Sequence, residues 1–189
     1  YSKNFKGDKM KIENLIIEEL RESDLEKAYD VFKVTIPVAF KESEDEVEPE
    51  VLEKEIHNKK LLLIDSIKNK SRKNVFFVAK HKDKVIGTIA YGECSEAIRV
   101  CTDNEFSNIG ELNSLFILPE YQGKGVGSKL IKALMKYLNE NKIEEFCFDS
   151  GYKQAQIRWI NKFGQPYKIV KDFWAPGVDN MIWRCEVKK

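Results

Sequence analysis

No charge of one sign dominates this chain: among its 189 residues, 32 lysines and arginines stand against 31 aspartates and glutamates, a net charge of +1. That balance sets up no long-range field for nucleic acid or an anionic membrane, so affinity for a polyanion has to come from a local site. Long hydrophobic runs are missing too. Stretches such as Leu61-Leu62-Leu63-Ile64 fall far short of the roughly 18 residues that span a bilayer, and no apolar segment with a small-residue cleavage site opens the sequence. The expectation is a cytoplasmic protein with no nucleic-acid partner and no membrane partner. Histidine is scarce, at His57 and His81, and the four cysteines, Cys94, Cys101, Cys147 and Cys185, form no C-x-x-C pair. Zinc-site spacing is therefore absent and no metal is expected. A chain of this size builds a core without crosslinks, so the thiols are expected to be reduced. There is no internal repeat and no low-complexity tract.

What is present is a chain of single-domain length, 42% hydrophobic and 33% charged. Residues 1–9 offer only Tyr1 and Phe5 as large apolar side chains and read as a leader or an added remnant, with one domain over 10–189. Leu15, Ile17 and Leu20 predict a first strand. Ser23-Asp24-Leu25-Glu26 matches a capping box, in which the serine hydroxyl and the glutamate carboxylate satisfy helix-start N–H groups, and Leu25, Ala28, Tyr29 and Phe32 then share a helical face. Eight acidic residues follow between Glu42 and Glu55, with Pro49 among them. They read either as a solvated loop and helix start or as a funnel for a cationic substrate; the helix runs to about Ile67, before a polar linker over 68–74.

Val75–Ala79 and Val85–Tyr91 are β-rich and joined by His81-Lys82-Asp83-Lys84, which predicts an antiparallel hairpin. After a variable stretch, Leu112–Leu118 is a third strong strand, ended by Pro119. Val126, Leu130, Ile131, Leu134, Met135 and Leu138 fall at helical spacing, and Glu145–Phe148 returns to strand. Such a strand–helix–strand crossover places its two strands parallel. A shorter helix over Gln154–Lys162 and two last strands, Tyr167–Val170 and Met181–Val187, complete an α/β pattern: a mixed, mostly antiparallel sheet around a parallel β-α-β core, with helices on both faces.

The informative segment is Leu118-Pro-Glu-Tyr-Gln-Gly-Lys-Gly-Val-Gly-Ser-Lys-Leu130, where three glycines at alternate positions open an amphipathic helix. A turn of this kind turns backbone N–H groups outward beside the positive end of a helix dipole, a recipe for holding phosphate. A P-loop or a dinucleotide fingerprint starting at Gly123 would need glycine where Ser128 stands. Glu145 and Asp149 nonetheless fall near the distance of a ribose-binding acid, which keeps a dinucleotide site as a remote alternative.

Glu111-Leu-Asn-Ser-Leu-Phe-Ile-Leu-Pro-Glu-Tyr-Gln-Gly-Lys-Gly-Val-Gly-Ser-Lys-Leu130 resembles the acetyl-CoA-binding core of the GCN5-related N-acetyltransferase (GNAT) family, whose signature is [QR]-x-x-G-x-[GA]. Gln122, Gly125 and Gly127 fit it, and the close match covers about residues 110–138. The resemblance implies a single acetyltransferase domain over 10–189 using acetyl-CoA as co-substrate. Main-chain N–H groups of Gln122, Gly123, Lys124, Gly125, Val126, Gly127 and Ser128 would then bind the pyrophosphate, with Lys124 adding charge or facing solvent. The strand before the turn would splay from its parallel neighbour through a bulge, and Phe116, Ile117 and Leu118 would line the pantetheine arm. The acceptor would be a small-molecule or peptide primary amine, acetylated by direct transfer in a ternary complex by a monomer or homodimer.

Transfer to an amine needs a neutral nucleophile, a stabilised oxyanion and a proton for the departing thiolate. An alkylamine is mostly ammonium at neutral pH, with a reference pKa of about 10.4, so a base or water chain has to deprotonate it. Glu111, at the position where many family members carry a glutamate, is the first candidate; the main-chain N–H near Ile117 is the oxyanion donor. The proton donor departs from the family pattern. Aligned on Lys162 and Gly164, Trp159 and Ile160 fall where many members carry phenylalanine and tyrosine, and isoleucine cannot donate a proton. Tyr152, the thiol of Cys147 or solvent are the substitutes. That departure motivates an alternative, an acyl-CoA-binding regulatory module with little catalysis. The aromatic tail, from Trp159 and Phe163 to Trp174 and Trp183, either fills the core or walls an acceptor pocket, with Phe173-Trp174-Ala175-Pro176-Gly177 as a candidate pocket loop.

Overall fold

The computed structural model describes residues 12–42, 48–68 and 74–187. The expected leader over 1–9, the acidic residues Glu44, Asp45 and Glu46, and most of the polar linker lie outside the described residues. The chain order is β1 (Leu15–Glu19), α1 (Leu25–Glu42), α2 (Pro49–Lys68), β2 (Val75–His81), β3 (Lys84–Gly92), α3 (Glu96–Cys101), β4 (Glu111–Ile117), α4 (Val126–Glu140), β5 (Glu145–Ser150), α5 (Lys153–Phe163), β6 (Lys168–Ala175) and β7 (Val178–Glu186). One seven-stranded sheet, ordered β1-β2-β3-β4-β5-β7-β6, carries them. Every neighbouring pair is antiparallel except β4 and β5, which run parallel around α4.

Strand alternation sends neighbouring side chains to opposite faces, and β4 uses it to separate two helical layers. Phe116 packs edge-on against Phe32 of α1, ring centroids 5.5 Å apart, whereas Ile117 lies against Gly127 of α4. On β5, Phe148 packs at a tilt against Trp159 and Phe163 of α5, while Cys147 joins Ile98 and Cys101 of α3. Helices α1 and α3 therefore cover one face, α4 and α5 the other. Phe32, Ile36, Ile86, Ile89, Leu130, Leu134, Phe146 and Trp183 are fully buried, each contributing about 1.5–3 kcal/mol by leaving water. Much of the aromatic tail is core: Trp183 stacks on Phe148 at 4.9 Å and donates its indole N–H to Gly164 O at 2.9 Å.

Three local expectations are corrected. The capping box does not form, because Glu22–Asp24 is a 3-10 turn running into α1 without a side-chain cap. The Asp24 carboxylate instead turns inward to meet Lys80 Nζ at 2.7 Å, which also holds Glu18 at 2.6 Å. The stretch read only as variable contains α3, capped by Ser95, and the expected 173–177 loop is the end of β6 plus its turn. Register slips between Val170 and Ala175, where Asp172 sits at φ +53 and accepts from the N–H of Gly177; this long bulge hid the continuation of the strand expected over Tyr167–Val170. Among the described residues, no helix is long and apolar enough to cross a membrane.

Candidate functional site

The parallel seam between β4 and β5 is joined at one residue pair, Glu111 with Cys147, next to a hydrogen bond from Cys147 N to Gly110 O at 2.9 Å. Beyond it the strands diverge. Two features of β4 and β5 explain why. Ser114 takes φ +53 and the β3–β4 register slips there, a bulge that bends the strand and raises its twist, held by Thr88 Oγ1 donating to Ser114 O at 2.8 Å. On its other side β5 pairs along its whole length with Met181–Glu186 of β7, and Gln156 Nε2 of α5 ties Ser150 O and Asp179 O together at 2.8 and 3.0 Å.

The opening exposes main chain. Leu118 N donates to Ile86 O of β3 at 2.9 Å, so strand alternation turns both the N–H and the C=O of Ile117 away from β3 and toward the opening. Gln122 Nε2 caps that carbonyl at 3.1 Å. Of the three residues expected to line a pantetheine arm, Ile117 presents its backbone there. Phe116 turns its ring to α1, and Leu118 is buried in the core with its N–H already used.

At the mouth, Gly123 and Gly125 have φ +71 and +83, with open space where a Cβ would stand, so their glycine is demanded by backbone conformation and not by crowding. Gly125 is the N-cap of α4 and brings no capping side chain. The first-turn N–H groups at Val126, Gly127 and Ser128 have no intrahelical acceptor and sit at the positive end of the helix dipole. Lys124 is exposed, with Nζ 5.7 Å from the Tyr121 ring centroid.

On the α1 and α3 face, Glu111 is only 6% exposed and its Oε2 accepts from Ser95 N at 2.7 Å. Burial, aided by the charge of Asp149, pushes its carboxyl up to about 7 despite that bond and Lys59 of α2. Asp149 stands two residues beyond Cys147 on the same face of β5. Burial raises its pKa as well, against the hydrogen bond from Asn180 Nδ2 at 2.8 Å and the charge of Lys59. Tyr152, the N-cap of α5, packs edge-on to Phe40 at 5.5 Å. Burial first, then Glu55 and Asp149, raises its pKa, so its phenol keeps its proton. Cys147 is fully buried beside Cys94, its thiol likewise pushed up by burial. Ile160 packs against the main core.

Asp149, Asn180 and Ser95 are the site residues that the sequence reading did not find. Asp149 entered it only as a ribose-binding acid. The signal that finds it is alternation along β5 once Glu111 is set opposite Cys147, a register that no string of residues states. Among the described residues, no three His, Cys, Asp or Glu side chains gather as a metal site.

A mixed sheet opened along one parallel seam, with a glycine-bounded helix start at its mouth and the buried Glu111 carboxylate at its vertex, defines the α/β class of this protein. The chain belongs to the acetyltransferase (GNAT) family, whose model matches residues 20–164. An uncharacterized N-acetyltransferase of Archaeoglobus fulgidus is 35% identical over 75 residues, 36% of this chain and 50% of that protein, so the match spans about half of that relative. In fold, the chain is similar to the PaiA N-acetyltransferase of Thermoplasma acidophilum, a structure in complex with coenzyme A, with a TM-score of 0.65 and 20% identity over 91% of this chain and 98% of that one. An N-acetyltransferase of Staphylococcus aureus Mu50 gives 0.65 and 13% over 93% and 99%.

Proposed function

We propose that this protein transfers an acetyl group from acetyl-CoA directly to a primary amine of a small molecule or peptide within a ternary complex. The observation that carries the reading is the seam: β4 and β5 meet at Glu111 and Cys147 alone and open toward the free N–H groups of α4.

Acetyl-CoA, when bound, supplies an activated thioester. The main-chain N–H groups from Gly123 to Ser128 hold its pyrophosphate, that of Gln122 being already spent on Pro119 O at 3.1 Å, and Ile117 presents an N–H to the oxygen on which negative charge develops. Glu111 takes a proton from the amine, directly or through water, a role suited to a carboxyl that titrates at about 7. Tyr152 keeps its proton and returns one to the departing sulfur. The core-packed Ile160 favours a second reading, an acyl-CoA-binding module with little turnover.

The first test is a thermal shift with acetyl-CoA, coenzyme A, NAD and ATP in parallel, followed by thiol release across primary amines. Ligand at 100 times its Kd adds about 2.7 kcal/mol of stability. A shift with acetyl-CoA and coenzyme A alone, with amine-dependent thiol release, is the expected result. Binding without release supports the module, and a shift with NAD alone supports a dinucleotide site and overturns both.

A further inference from the structure

Asp149 is a carboxylate beside the seam to which the proposed reaction assigns no task. In the parallel register Glu111 faces Cys147, and period-2 alternation puts Asp149 on that same face, about 6.6 Å further into the opening at the usual rise per residue. It stands where β5 has no β4 partner. Beneath it lies Asn180 of β7, 0% exposed, whose Nδ2 reaches Asp149 Oδ2 at 2.8 Å and Cys101 Sγ at 3.7 Å. Its Oδ1 has no hydrogen-bond partner among the described residues. A buried amide left half-satisfied is costly, and an apolar side chain would serve the core better. What the amide does provide is a fixed orientation for the Asp149 carboxylate.

An aromatic wall stands on the same side. The Trp174 indole occupies the space that a side chain at Gly151 would take: a Cβ there would lie 2.7 Å from Nε1. The indole is 52% exposed. The charged groups facing the two carboxylates are Lys59 and Glu55 of α2, with the protonated Tyr152, Cys94 and Cys147 around them. Lys59 is engaged with Glu55 at 3.4 Å.

From this juxtaposition we infer that Asp149 is a second acceptor-site carboxylate, which with Glu111 grips the ammonium of a cationic primary amine, and that Asn180 is the positioning residue that aims it. The inference rests on the acetyl-transfer reading. A buried and a half-buried carboxylate repel, a cation between them relieves both, and a neutral acceptor does not. Asp149 then holds the amine while one N–H bond breaks, its proton goes to a Glu111 oxygen and the electron pair stays on nitrogen.

The test compares wild type with Asp149→Asn and Asn180→Ala in steady-state thiol release, using a panel of alkyl and diamine substrates. Asp149→Asn is expected to raise the amine KM tenfold or more while the acetyl-CoA KM stays within twofold. Asn180→Ala removes a bond to the charged form, so the acidic limb of kcat/KM for the amine moves to higher pH, a change that loosened packing alone does not produce. Should either variant fail to fold, the wild type carries the test. Choline is expected to inhibit competitively against the amine, and its neutral isostere 3,3-dimethylbutanol is not. An unchanged amine KM in Asp149→Asn, or equal inhibition by the two isosteres, overturns the inference and leaves acetyl transfer standing. Retained coenzyme A binding with no thiol release from any amine overturns the transfer reading and this inference with it.

Discussion

Burial and catalysis pull Glu111 in opposite directions, and pH separates them. The folded chain holds its carboxyl proton up to about pH 7, against an ordinary 4.5. Between those values the unfolded chain has released a proton that the folded chain keeps. The contribution of Glu111 to stability is therefore most favourable below 4.5, falls as pH rises through this window and reaches its floor above 7, a loss of the order of 3 kcal/mol. Glu111→Gln has nothing to ionise, so its melting temperature should exceed that of wild type at pH 8, with the gap closing toward pH 5. Its turnover should fall about 100-fold or more and lose the rising limb near pH 7, while coenzyme A still shifts its melting. At the mouth, Gly125→Ala should cost about 1–2 kcal/mol in the left-handed region. Gly125→Asn, a residue that tolerates that region, should recover stability in a melt. It should not recover coenzyme A affinity in a titration, because its side chain enters the space in front of the helix start. Both residues were legible in the sequence, Glu111 through its place in a recognisable string and Gly125 through glycine spacing. Asp149 and Asn180 were not, because their meaning arises from strands that meet only in three dimensions.

At the scale of elements, α3 shows how a short helix tunes a distant strand. Ser95 caps it, its side chain accepting from Ile98 N at 3.5 Å, while its backbone N–H donates to Glu111. With φ at −66 and ψ at 158, Ser95 already has a conformation open to proline. Ser95→Pro should delete the donor and move the acidic limb of the activity profile to higher pH. Ser95→Ala keeps the N–H and should lower stability by about 1 kcal/mol with the limb unmoved; pH-rate profiles and melts of the two variants separate the roles. This helix escaped sequence analysis because six residues carry little periodicity, and β6 was read only as far as Val170 because its bulge breaks alternation beyond that point. The long amphipathic helices and the hairpin were readable because each repeats its period several times. The missing capping box shows a local pattern overruled by backbone geometry, since Ser23, its expected cap, lies inside the 3-10 turn Glu22–Asp24, a turn whose Asp24 is tied to Lys80.

For the whole molecule, the sheet is two blocks, β1 to β4 and β5 to β7, joined along a seam with one paired position. The succession of strands along the chain was legible in the sequence, but not the placing of β7 between β5 and β6; the seam's opening was not to be had from composition or periodicity, only from the family resemblance, because it depends on a bulge at Ser114 and on β5 being held more tightly to β7. Amide hydrogen exchange should find the β4 and β5 edges facing the seam among the faster-opening parts of the sheet, and saturating coenzyme A should slow both blocks together, not the mouth alone. A ligand that spans a joint of this kind acts as a structural member as well as a reagent. The lifetime of the chain in the presence of a protease should then rise and fall with the supply of its acyl donor, making abundance itself a record of how well the site is fed.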